Sequence, residues 1–262
     1  MANPILARQH GHILEIVLNR PEAYNALNLE LMEILSDALT TLATENVIKG
    51  IMITGNGKAF CSGGDLKWIS QQTGEASSTV DRLAEQFHIA ITEIRRMGKP
   101  VVAAINGIAA GGGFSLGLAC DFRVMAESAV LRQAYTSSGL SIDGGGTFAL
   151  PRLVGLARAL EIAAFDQPIT SAQALAWGLV TKVVPDDKVI EEAMSMLQEL
   201  AKSALHSFAW SKRLLLESFN NTLETQLELE RQGICDCAGH SDGQEGIKAF
   251  VEKRKPVFQN SI

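Results

Sequence analysis

The residues best suited to chemistry in this sequence are glycines. They gather in three clusters, Ser62-Gly63-Gly64-Asp65, Gly111-Gly112-Gly113 and Gly144-Gly145-Gly146. Glycine is needed where backbone turns sharply or comes close to a ligand. Two such turns could aim their N–H groups at one carbonyl oxygen and stabilise negative charge on it without any charged side chain. Phosphate chemistry fits less well. Gly55-Asn56-Gly57-Lys58 has neither the P-loop spacing nor a Ser or Thr after the lysine, and no cluster gives G-x-G-x-x-G behind an early strand with an acidic residue downstream.

A serine hydrolase is the competing reading. Gly113-Phe114-Ser115-Leu116-Gly117 fits the G-x-S-x-G elbow, and Asp143 or Asp166 followed by His206 or His240 gives the triad order. An elbow sets its serine at the immediate end of a strand, whereas the strand-like Val101–Ile105 ends well before Ser115, and no HGGG-type segment precedes it. The histidines His10, His12, His88, His206 and His240 show no metal-ligand spacing; His10 and His12 are expected to alternate along one solvated strand face. Cys235 and Cys237 form only a C-x-C with no second pair to face it. The four cysteines are therefore expected to be reduced, buried thiols, and no metal site is expected.

The elements that must position these groups alternate in type. Ile13–Leu18, Ile48–Thr54, Val101–Ile105 and Phe122–Met125 read as short aliphatic strands. Leu29, Met32, Leu35, Leu39 and Leu42 recur at helical spacing after a cap at Asn28, and Leu83, Phe87, Ile91 and Ile94 do so before Gly98 and Pro100. Strands alternating with helices imply an α/β fold with largely parallel pairing. Later, helical patterns cover Gly155–Ala164, Ser171–Trp177, Val189–Ala201, His206–Ser218, Leu223–Ala238 and Gln244–Lys253, with one strand at Leu179–Val184. Residues 1–200 are expected to form the core, and the mostly helical residues 201–262 to pack against it or against another subunit. The chain has 262 residues, 47% of them hydrophobic, enough to bury a sizeable core. Its 23 basic and 29 acidic residues give a net charge of −6, with no basic stretch of the density a nucleic-acid face needs. The uncharged run Val101–Cys120 is long enough to span a bilayer, yet Asn106 and its several glycines argue for a buried strand, a glycine turn and a helix start. No secretory pattern opens Met1–Arg20, so a cytoplasmic location without membrane contact is expected.

Taken in order, several segments resemble the crotonase family, the enoyl-CoA hydratase/isomerase superfamily. They are Asn19-Arg20-Pro21-Glu22-Ala23-Tyr24-Asn25-Ala26-Leu27, Lys58-Ala59-Phe60-Cys61-Ser62-Gly63-Gly64-Asp65-Leu66, Lys99-Pro100-Val101-Val102-Ala103-Ala104-Ile105-Asn106-Gly107 and Ala110-Gly111-Gly112-Gly113. Ala119-Cys120-Asp121, Gly144-Gly145-Gly146-Thr147, Ala172-Gln173-Ala174-Leu175-Ala176-Trp177-Gly178-Leu179-Val180 and Phe250-Val251-Glu252-Lys253-Arg254 follow. The resemblance implies a spiral of ββα units with a C-terminal helical region that trimerises, often as a dimer of trimers. It implies an acyl-CoA thioester ligand, coenzyme A being part of the substrate, and no separate cofactor. The two backbone donors to the thioester oxygen map to Gly64 and Gly112. Ala59, Ser62, Asp65, Leu66, Ser115 and Tyr135 map along the acyl-CoA site, and Phe250 and Lys253 match contacts to the adenine and 3′-phosphate made across a subunit interface.

The sequence departs from the hydratase pattern where it matters most. The two glutamates that position water in hydratases of the family map to Ser115 and Tyr135, neither of which can be a carboxylate base. Asp143 directly precedes the third glycine cluster. An aspartate at this place shuttles a proton in phenylacetate-pathway epoxide isomerases and related enoyl-CoA isomerases, and the family's 4-chlorobenzoyl-CoA dehalogenases use one as nucleophile. The segment Asn221–Glu230 is also most like the phenylacetate-type isomerases. The implied activity is therefore isomerisation of an enoyl-CoA double bond, or of an epoxide, with Asp143 as acid/base. Hydration of an enoyl-CoA or cyclic dienoyl-CoA, and acyl-CoA binding without catalysis, are the alternatives. Asp143 could otherwise merely cap the following turn, and the segment Ser70–Val80 is expected as a loop lining the acyl pocket.

Overall fold

The computed structural model describes residues 3–259, so the first two residues of the expected core and the last three of the expected tail lie outside it. The chain opens with strands β1 (Ile5–His10) and β2 (Ile13–Leu18), then helix α1 (Leu29–Thr44). There follow β3 (Gly50–Gly55), β4 (Ala59–Cys61), α2 (Leu66–Ser70), α3 (Ala76–Arg96), β5 (Val101–Ile105), β6 (Ile108–Ala110) and α4 (Gly112–Ala119). β7 (Phe122–Ala126), β8 (Val130–Arg132), α5 (Gly146–Phe165), β9 (Ile169–Thr170), α6 (Ser171–Ala176) and β10 (Lys182–Val184) come next. The chain then turns helical, through α7 (Val189–Leu200), α8 (Leu205–Glu217), α9 (Leu223–Gly239) and α10 (Ser241–Val251).

Two sheets divide the strands. The larger has the order β1-β2-β3-β5-β7-β10 and the smaller β4-β6-β8-β9. β2, β3, β5, β7 and β10 run parallel, and β1 closes one edge antiparallel. β4, β6 and β8 are parallel as well, with β9 antiparallel at their edge. After β2 the chain visits the large sheet, then the small one, then a helix, and repeats: β3, β4 and α2–α3; β5, β6 and α4; β7, β8 and α5. This is a spiral of ββα units in an α/β fold.

The central parallel strands β3 and β5 are short and wholly buried, as expected of parallel strands covered on both faces. Leu31, Met32, Leu35 and Leu39 of α1 are fully buried, and the Asn28 side chain accepts the Leu31 N–H at 3.1 Å to cap it. Val101–Cys120 resolves into β5, β6, the glycine turn and α4, and among the described residues no helix is long and apolar enough to cross a membrane.

Several local expectations shift. The strand anticipated at Ile48–Thr54 runs over Gly50–Gly55, and the one at Leu179–Val184 shrinks to Lys182–Val184, because the Leu179 and Val180 N–H groups turn back to Ala174 O. The helix expected from Gly155 begins at Gly146; Gly155 (φ 76°, ψ 159°) is a break inside it. Ser70–Val80 is not all loop, since α3 starts at Ala76. The last helix starts at Ser241 and ends at Val251, leaving Lys253 beyond it. His12 sits in the turn after β1 rather than on its face, and His10 meets Glu15 Oε2 at 3.0 Å. Cys61 and Cys120 are buried thiols, whereas Cys235 is exposed and Cys237 half-buried.

The helical end packs in two ways. α7 lies against β3, β5 and β7, while α8, α9 and α10 pack on one another in sequence. Lys212 of α8 ties that layer to the sheet, donating to Asp121 Oδ2 and to Ile94 O, each at 2.8 Å.

Candidate active site

The first wall of the site is main chain. Leu27 N–H bonds Gly63 O at 2.8 Å, and Asp65 N–H bonds Leu27 O at 2.9 Å. In this parallel bridge between Leu27 and Gly64, the N–H of Gly64 itself points away from its partner. Two side chains pin the loop from outside. Arg20 pairs with Asp65 Oδ2 at 2.8 Å, and the buried Asn25 donates to Ala59 O at 2.8 Å. Asp65 also caps α2, accepting from Trp68 N–H at 2.9 Å.

The second glycine turn delivers the other donor. Gly111 adopts φ 51°, ψ −124°, a conformation reserved for glycine, and α4 begins at the next residue. Gly112 therefore offers an N–H with no partner one turn back, at the positive end of the helix. The two turns touch: a methyl group on Gly63 would lie 2.9 Å from Ala110 O and 3.2 Å from Gly112 N. Among the described residues, neither Gly64 N–H nor Gly112 N–H donates to another group of the chain. Both glycines line a cavity of about 190 Å³.

The opposite wall carries side chains. Leu66, Ile69, Val80, Leu83 and Phe87 make it apolar, so Val80 is the part of the Ser70–Val80 segment that reaches it. Ser62, Tyr135 and Asp143 add polar atoms. Ser115, buried within α4, donates its hydroxyl proton to Asp143 O at 2.6 Å, so the 3.2 Å contact to Tyr135 has the phenol as donor. Burial pushes the Tyr135 pKa well above the ordinary phenol value, so its proton stays on at neutral pH. The positions 115 and 135 thus meet in space as a hydroxyl pair without a base. No histidine meets Ser115 among its hydrogen-bond partners, and its place inside a helix rules out a nucleophile elbow.

Asp143 is held at both levels. Its carbonyl accepts Ser115 Oγ and Gly146 N–H, the latter at 3.1 Å, so the turn cap is made by backbone and not by the carboxylate. The carboxylate instead meets His88 Nε2 at 2.6 Å. Gly144 makes this possible. A methyl there would sit 2.1 Å from Phe87 Cε1, so only glycine lets the turn approach α3 closely enough for Asp143 to meet the next residue, His88.

Comparison with known proteins agrees with this architecture. A family model described as enoyl-CoA hydratase/isomerase matches residues 8–261. The chain belongs to that family. It is 33% identical to the 1,2-epoxyphenylacetyl-CoA isomerase of Escherichia coli K12, over 97% of each chain. Among solved structures it is similar to an enoyl-CoA hydratase from Bacillus anthracis, with a TM-score of 0.92 and 34% identity over 98% of this chain and 99% of that one. An enoyl-CoA hydratase from Polaromonas sp. JS666 gives a TM-score of 0.92 with 38% identity, over 97% and 99% of the two chains.

For an enoyl-CoA hydratase/isomerase, the chain brings Gly64, Gly112, Ser62, Leu66, Tyr135 and Asp143 to one cavity, with Ser115 directly behind. It does not bring four other expected residues there. Ala59 is buried in β4, and the Asp65 carboxylate is consumed by Arg20 and the α2 cap. Phe250, 85% exposed, and Lys253 lie on or just after α10, away from the cavity of their own chain. His88, which meets the Asp143 carboxylate but does not itself line the cavity, is the contact that the sequence did not predict. Its signal in this family member was a polar residue one step beside the apolar stripe Leu83, Phe87, Ile91 and Ile94 of α3.

Proposed function

We propose that this enzyme isomerises a carbon–carbon double bond in an acyl-CoA, or a related epoxide, with Asp143 as the acid/base. The thioester oxygen lies between the N–H groups of Gly64 and Gly112. The Asp143 carboxylate takes a proton from one carbon of the allylic system, and the electron pair moves through the double bond onto that oxygen as a dienolate. Two fixed dipoles and the start of α4 stabilise the charge where it develops. Asp143 then returns the proton to the other terminal carbon and is a carboxylate again. The proton balance closes with one carboxylate.

The observation that carries this reading is that, among the described residues, Asp143 is the one acidic side chain lining the cavity. Tyr135, held protonated by burial, suits a donor and not a base. Similarity to an epoxide isomerase supports the same reaction class. Hydration is the second reading, favoured by the enoyl-CoA hydratases among the similar structures; there Asp143 would activate water. The deciding experiment incubates wild type and Asp143→Asn with 3-enoyl-CoA and 2-enoyl-CoA in deuterated water. Isomerase action gives bond migration with deuterium incorporation that the substitution lowers by about 10² or more. Rapid water addition to 2-enoyl-CoA that survives Asp143→Asn would overturn the assignment. Binding of an unreactive acyl-CoA with no turnover of either substrate would favour a non-catalytic binder.

We also propose that the enzyme works as a homotrimer or a dimer of trimers, with Phe250 and Lys253 of one subunit meeting the coenzyme A of its neighbour. Leu223, Leu227 and Ile234 support this, forming an exposed apolar stripe at helical spacing on α9.

A further inference from the structure

We propose that His88 is a positioning residue whose Nε2–H, donated to Asp143 Oδ1, leaves Oδ2 as the atom that takes and returns the substrate proton. This rests on the reading of Asp143 as the acid/base. The backbone of Asp143 is fixed by Ser115 and by Gly146 N–H, but those bonds end at its carbonyl and leave the side-chain torsions free. The carboxylate is 36% exposed, so water competes for it. Among the described residues, His88 is the one side chain that hydrogen-bonds it, at 2.6 Å. A charge-assisted N–H···O⁻ bond of that length selects one rotamer and occupies one oxygen. The anchor is itself well placed: the Phe87 ring one residue earlier seats against Gly144, so helix and turn share a register.

An exposed ion pair of no consequence is the competing account, since the His88 side chain is 55% exposed and pairs of that kind contribute little. Kinetics separate the two. Each variant is assayed with 3-hexenoyl-CoA and trans-2-hexenoyl-CoA, and its affinity for an unreactive hexanoyl-CoA analogue is measured alongside. His88→Phe is expected to lower kcat by roughly 10- to 100-fold, the scale of misplacing a reacting group, with KM and analogue affinity unchanged. His88→Gln, which keeps an N–H donor at similar reach, restores kcat to within about fivefold of wild type. In an Asp143→Asn background, His88→Phe adds no further loss, because the group it orients is gone. A kcat within twofold of wild type for His88→Phe overturns the proposal, as does a His88→Gln variant no better than His88→Phe. An Asp143→Asn enzyme of full activity overturns the acid/base reading and this proposal together. Loss with Asp143→Asn but none with His88→Phe overturns only the role of His88.

Discussion

The hydroxyl of Ser115 lies 2.6 Å from the carbonyl oxygen of Asp143, so a buried residue of α4 holds the turn that carries the candidate acid/base. One net hydrogen bond contributes about 1 kcal/mol, so Ser115→Ala should lower turnover by roughly tenfold or less. Deleting a serine nucleophile would instead cost on the order of 10⁶-fold. Steady-state kinetics on the substrate that turns over distinguish these outcomes by several orders of magnitude.

Lys212 and Asp121 make a buried ion pair that bolts the helical layer to the sheet, with Val101 N–H also donating to Asp121 at 2.9 Å. Burial lowers the lysine pKa and raises that of the aspartate, so each needs the other to stay charged. Lys212→Ala leaves a carboxylate buried alone and should destabilise the fold by about 3–5 kcal/mol. Adding Asp121→Asn to Lys212→Ala, which removes the stranded charge, should recover more than half of that loss. Chemical denaturation at one fixed protein concentration is the measurement.

Alkaline stability follows from the two buried thiols. Burial pushes Cys61 and Cys120 up to about 12, well above the ordinary thiol value. Below the unfolded value both states keep their protons, and the contribution to stability is complete. Between there and the folded value only the unfolded chain ionises, so stability falls as pH rises, by about 1.4 kcal/mol per pH unit for each thiol. Denaturation curves at pH 8 and pH 10 should therefore diverge more for wild type than for a Cys61→Ala, Cys120→Ala variant. Equal slopes would contradict this.

For assembly, light scattering at micromolar concentration should give three or six copies of the chain. Replacing Leu227 and Ile234 by Asp puts two charges on the exposed stripe of α9 and should shift the population to monomers while the fold is retained. A wild-type monomer would contradict the assembly.

Much of the fold was legible because its signals are local. The apolar spacing of α1 and its Asn28 cap needed no long-range knowledge, and the glycines of Val101–Cys120 separated strand and helix from a membrane span. The start of α5 was hidden because Gly144, Gly145 and Gly146 read as a turn, and the last of them is already helical. The backbone donors Gly64 and Gly112 came from motif resemblance, and Asp143 from its place before the glycines. His88 could not be read, because it is 55 residues from Asp143 and their meeting depends on how closely one glycine lets a turn approach a phenylalanine ring.

The contact between the Gly63 and Gly111 turns bears on how a scaffold of this kind diversifies. A methyl on Gly113 would fall 2.1 Å from Cys61 O, and one on Gly63 would meet Ala110 O, so the two donor loops interlock and neither can shift alone. The opposite wall is held tightly where Gly144 meets Phe87, but its polar groups are side chains and not backbone. Tyr135 and Asp143 line the cavity, Ser115 and His88 stand behind them, and the four come from four separate stretches of chain. A side chain on that wall can therefore be exchanged without moving the backbone N–H groups of Gly64 and Gly112 across the cavity.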